Sequence, residues 1–79
     1  MKVGDVVKDI REEYLNDMGI VIDVDGEYII VRWLVLTNPP KLIYPYQGDV
    51  DKFESTEKIQ CLKLIKDDKI IGEMYARLL

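Results

Sequence analysis

Cys61 is the single cysteine of this chain, and there is no histidine to activate it. A nucleophilic thiol needs a lowered pKa, usually from a neighbouring base or cation. Between Gln60 and Leu62, Cys61 reads instead as a small, partly buried hydrophobe. With one cysteine and no imidazole, zinc sites and histidine-based acid–base chemistry are closed. The acids Asp5, Asp9, Glu12, Glu13, Asp17 and Asp23 could supply a carboxylate pair, but no spacing selects one. Asp23-Val24-Asp25-Gly26-Glu27 opens like a calcium loop. Such a loop closes on a bidentate Glu at its twelfth position, and that position is Leu34. There is no glycine-rich phosphate loop and no nucleophile elbow. The expectation is a non-enzymatic protein with no catalytic residues, no metal ligands and no cofactor.

The remaining chemistry is that of contact. Lysine and arginine would have to neutralise phosphates for the chain to bind nucleic acid. The net charge is −4, and residues 1–40 hold four cations (Lys2, Lys8, Arg11, Arg32) against eight acids. Residues 41–79 carry seven of each sign. Nucleic acid is therefore a disfavoured partner, and a basic surface would have to come from Arg32, Lys58, Lys63, Lys66 and Lys69. The aromatics Tyr28, Trp33, Tyr44, Tyr46, Phe53 and Tyr75 are of the type that dominates protein–protein hot spots. Trp33 and Tyr44 are expected to fill the core. Tyr28, and Tyr46 beside Pro45, are expected to be exposed.

These residues need elements to hold them. A chain of 79 residues supports one domain, residues 1–79, with one small core. Residues 3–8 read as a first strand. Residues 9–18 place Ile10, Tyr14, Leu15 and Met18 three or four apart, a loop with a helical turn inside it. Two β-branched runs, 19–24 and 27–34, flank Asp25-Gly26, a strong hairpin signal. A turn centred on Asp25-Gly26 would pair Val24 with Glu27 and Ile20 with Val31. One face would then hold Ile20, Ile22, Val24, Ile29, Val31 and Trp33, the expected core. The other would hold Val21, Asp23, Tyr28, Ile30, Arg32 and Leu34, an apolar strip that needs a cover.

The prolines at 39, 40 and 45 exclude a central strand in residues 35–48, apart from a short extended piece at 42–44. Residues 49–58 are polar and read as loop. Residues 59–66 read as a strand with Leu62, Leu64 and Lys66 on one face and Cys61, Lys63 and Ile65 on the other. Residues 67–79 form a helix or strand, with Ile70, Ile71, Met74, Tyr75, Leu78 and Leu79 at helical spacing and Asp67 or Asp68 as a cap. No apolar run reaches the ~20 residues of a membrane span. Met1-Lys2-Val3-Gly4-Asp5 lacks the apolar stretch of a secretory signal, so a cytoplasmic location is expected.

The strand with Gly4-Asp5, the irregular loop, the Gly19-led strand, the Asp25-Gly26 turn and the strand through Arg32-Trp33 form a series. It resembles the opening of SH3-like barrels, KOW-type domains among them, over residues 3–34. It is also similar to small phage proteins that begin with a Val-Gly-Asp strand. The resemblance implies a mainly β fold: a small SH3-like barrel of four to five antiparallel strands with a short C-terminal helix or strand. It implies an accessory interaction module, phage-encoded and placed in the host cytoplasm. The face bearing Val21, Tyr28, Ile30 and Arg32, with Tyr46, is the expected surface for a protein partner or self-association. A KOW-like nucleic-acid module is the alternative.

Overall fold

The β-branched runs form strands, because branched side chains pack well on a pleated surface. The computed structural model describes residues 1–36 and 54–78. In it β1 is Val6–Asp9, β2 is Met18–Asp25 and β3 is Tyr28–Val35. They are followed by β4 (Glu54–Lys58), β5 (Leu62–Leu64) and helix α1 (Asp68–Leu78). The described strands make one antiparallel sheet in the order β4-β3-β2-β1-β5. The protein is mainly β with a short C-terminal helix, and the loop after β1 contains the expected helical turn, Glu12–Tyr14.

The hairpin departs from its expected register in three ways, one of them a shift between Met18 and Gly19, which pair with Val35 and Trp33 and leave Leu34 without a partner on β2. Asp25 pairs with Tyr28, so the loop residues are Gly26 and Glu27. Gly26 has φ +61°, and among the described residues Asn16 is the only non-glycine with positive φ. A glycine at the first central position is the signature of a type II′ turn, not the type I′ turn an Asp-Gly centre would make. The third departure lies between Val21 and Asp23, where the register shifts and Ile22 has no partner. A bulge of one residue exchanges the two faces of everything before it. Val21 therefore points into the core and is fully buried, while Ile20 moves to the opposite face. Ile22 and Val24, expected in the core, are both exposed. On β3 the expectation holds: Ile29, Val31 and Trp33 are buried.

At the other end of β2, Gly19 sits directly opposite Trp33. A Cβ built there would come within 2.3 Å of the Arg32 carbonyl oxygen and 2.7 Å of Val31 Cγ1. No side chain fits, so this glycine is what lets β2 and β3 approach.

Both faces of the sheet carry an apolar cluster. On one, Val7, Val21, Ile29, Val31, Trp33 and Leu62 make a cluster, with Leu64 against it. On the other, Val6 and Ile20 pack with Met74 of α1, flanked by Met18, Leu34, Val35, Ile65, Ile70 and Ile71. Helix α1 thus covers the β1 and β2 end of the second apolar face. Asp67 starts it: its Oδ1 accepts the amides of Lys69 (2.9 Å) and Ile70 (3.3 Å). The Tyr75 hydroxyl donates to the Gly4 carbonyl and ties the helix to the N-terminal segment.

Strand β4 corrects the reading of residues 49–58 as loop from Glu54 onward; residues 49–53, and the short extended piece expected at 42–44, lie outside the described residues. Its sequence, ESTEK, has no apolar residue, yet Ser55 and Glu57 are buried on the core face opposite Val31 and Ile29. They are stabilised there by a polar chain. Trp33 Nε1 donates to Ser55 Oγ (2.7 Å), and Ser55 Oγ donates to Glu57 Oε2 (2.6 Å). Glu57 Oε1 meets Arg11 Nη2 at 2.8 Å. Arg11 also grips Asp9 through Nε (3.0 Å) and Nη2 (2.7 Å). Asp9 closes β1 and Glu57 lies on β4, three places away in the sheet, so the sheet must curl for one guanidinium to reach both. Hydrogen bonding to Asp9 raises the Arg11 pKa above its ordinary value; burial opposes this and the charge of Glu57 adds to it. The guanidinium also lies 4.9 Å from the centroid of the Tyr14 ring.

The expected strand over 59–66 is shorter than its apolar pattern suggests. Ile59–Cys61 is a 3-10 turn and only Leu62–Leu64 is strand. Cys61 therefore sits in the turn, where its carbonyl accepts the Ile10 amide at 3.1 Å.

Candidate interaction surface

The second face of the sheet is wider than α1. Its cross-strand rows follow from the register. Asp25, Tyr28 and Lys58 stand side by side on β2, β3 and β4. The next row is Asp23, Ile30 and Thr56, and the next is Ile20, Arg32 and Glu54. Directly paired residues share a face. The α1 cluster takes in Ile20 but neither Tyr28 nor Ile30. Tyr28 is 42% exposed and Ile30 is half-buried. Arg32 is half-buried too, with its Nε 4.0 Å from Glu54 Oε2.

Of the residues expected to form an interaction surface, Tyr28, Ile30 and Arg32 are brought together on β3. Val21 is not among them: the bulge at Ile22 turns it into the core, and Asp23 and Asp25 are the β2 residues that flank Tyr28 and Ile30. Tyr46 lies outside the described residues, as do Tyr44 and Phe53.

The cations of the nucleic-acid alternative are dispersed. Arg32 and Lys58 belong to β3 and β4, while Lys63 is on β5 at the opposite edge of the sheet. Lys66 follows β5 and Lys69 stands in the first turn of α1. Lys63 and Lys66 do converge, with Lys8, which sequence reasoning passed over. The three line a groove of about 420 Å³ with Asn16, Met18, Leu64, Ile65, Asp67 and Ile70. The signal for Lys8 was available only through pairing: it stands directly opposite Lys63 on one side and Met18 on the other.

Among the described residues no cluster of three or more Cys, Asp or Glu is placed to hold a metal ion. No described helix is long and apolar enough to cross a membrane. Compared with known proteins, the chain matches no family model, no curated protein and no solved structure.

Proposed function

We propose that the chain is a non-catalytic protein-interaction module that self-associates through the outer face of β3. The observation that carries this is the stretch of sheet beyond α1, where Tyr28 stays exposed and Ile30 half-buried on a face whose other end packs against the helix. Burying apolar side chains is the main driving force for association. The flanking charges favour a second copy. In the Asp25–Tyr28–Lys58 row the aromatic has an acid on one side and a base on the other. A two-fold axis lying along β3 would set Tyr28 against Tyr28 and Asp25 against the second copy's Lys58. Such an interface is self-complementary, as two-fold dimers require.

An SH3-like identity is part of this proposal. Its support is the sheet order, in which the last strand returns beside the first, and the curl that lets Arg11 reach β4. The phage setting and a host-cytoplasm location rest on the resemblance of residues 3–34 alone.

Light scattering after gel filtration, over about a tenfold concentration range, tests the reading. The expected result is a dimer that falls to monomer in Tyr28→Glu plus Ile30→Glu. Asp25→Lys should weaken it, and adding Lys58→Asp should restore it. A wild-type monomer throughout, or a double variant of unchanged mass, refutes the assignment. Trp33 fluorescence checks that each variant is folded.

A further inference from the structure

We infer that the groove between β5 and the start of α1 binds an acidic peptide segment carrying an aliphatic side chain, independently of the β3 face.

The first observation is a charge arrangement that the fold alone disfavours. Lys8 and Lys63 are direct cross-strand partners on one face of the β1–β5 pair. Like charges placed opposite each other destabilise a sheet. Lys66 adds a third ammonium at the same groove. Among the described residues none of the three makes an ion pair; the pairs present use Arg11 and Arg32. Among the described lining residues the one acid is Asp67, and its Oδ1 is already committed to the first amides of α1. Departures from local consistency tend to fall at functional sites. In a chain of net charge −4, this local concentration of cations makes a positive patch complementary to an anionic partner.

The second observation is the floor. Met18, Leu64, Ile65 and Ile70 line it, with no arginine and no aromatic among the described lining residues. A volume of about 420 Å³ is within the range of small binding sites. Nucleic acid uses aromatic platforms and guanidinium planes for its bases, and this groove offers neither. Aliphatic walls under a lysine rim fit a peptide that presents Leu or Ile between Asp or Glu. The lysine stems extend the apolar wall while their ammonium groups stay at the rim. Met18 adds an adaptable side chain suited to peptide surfaces.

Fluorescence anisotropy of the full chain with a labelled peptide of Glu-Glu-Leu repeats tests this. A Lys-Lys-Leu peptide, a short single-stranded DNA and anionic phospholipid vesicles serve as comparison probes. The expected result is saturable binding of the acidic peptide alone, weakening with salt. Lys8→Glu plus Lys63→Glu should weaken it at least tenfold, and Lys66→Glu, on an exposed residue, severalfold. Glu-Glu-Ser repeats should bind at least fivefold more weakly than Glu-Glu-Leu. Tyr28→Glu should leave the affinity unchanged, which separates this site from the β3 face. No binding at about 50 mM salt, binding indifferent to the lysine reversals, or equal affinity for the DNA or the vesicles overturns the inference.

Discussion

Replacing Arg11 with Met asks what holds the sheet curled. In the native chain the Asp9 carboxylate is inaccessible and that of Glu57 is 3% exposed, and the same guanidinium contacts both. Arg11→Met keeps an apolar stem and removes three short contacts: 2.7 and 3.0 Å to Asp9 and 2.8 Å to Glu57. Breaking a buried ion pair by removing one partner costs about 3–5 kcal/mol, because the remaining charge is left unpaired. The Arg11 side chain is 28% exposed, so water reaches the site and the lower end, about 3 kcal/mol, applies. The whole stability of so small a core is about 3–5 kcal/mol. The variant should therefore be marginal at pH 7. Urea unfolding followed by Trp33 fluorescence reads this directly, since the indole is buried and its Nε1 donates into the same polar chain. With a slope of about 1 kcal/mol/M, the midpoint should fall by about 3 M. Acid should partly repair the variant. Asp9 keeps the backbone amide of position 11 and Glu57 keeps the Ser55 hydroxyl, but buried carboxylates that have lost their counter-charge take up protons more readily in the folded chain than in the unfolded one. That stabilisation is present at low pH and is lost as pH rises, so Arg11→Met should be more stable at pH 5 than at pH 7. Arg11→Lys should recover only part of the loss, because an ammonium cannot make the two-pronged contact. A midpoint shift under about 1 M, or the same loss at both pH values, would refute the reasoning.

Gly19→Ala should cost about 1–3 kcal/mol in the same urea assay, since a Cβ would overlap the Arg32 carbonyl on β3. Asp67→Ala should lower stability by about 1 kcal/mol through loss of the helix cap, with a fall in helical circular dichroism. Lys63→Glu should raise stability by up to about 1 kcal/mol, and with it the urea midpoint, by turning a repulsive cross-strand pair with Lys8 into an attractive one. That gain should shrink at high salt.

What the sequence determines by itself is the local grammar. β-branched runs around 19–34 dictate strands and Gly26 dictates a tight turn, while the spacing of Ile70, Ile71 and Met74 after Asp67 and Asp68 leaves helix and strand both open, and the structure resolves them as a helix capped by Asp67. The absence of histidine removes imidazole chemistry whatever the fold. The tertiary structure decided what depends on pairing across distance. The bulge at Ile22 follows no residue-type signal; it exchanges Val21 with Ile20, and so moves a residue from the expected surface to the core. Strand β4 was illegible because its buried residues are Ser55 and Glu57, whose place is stabilised by Trp33 and Arg11 from distant segments. Lys8 has the pattern of any solvated lysine, and only the return of β5 beside β1 places Lys63 opposite it. Turn type, strand period and capping are set by a few neighbouring residues, whereas register, face and charge juxtaposition are set by which strands meet.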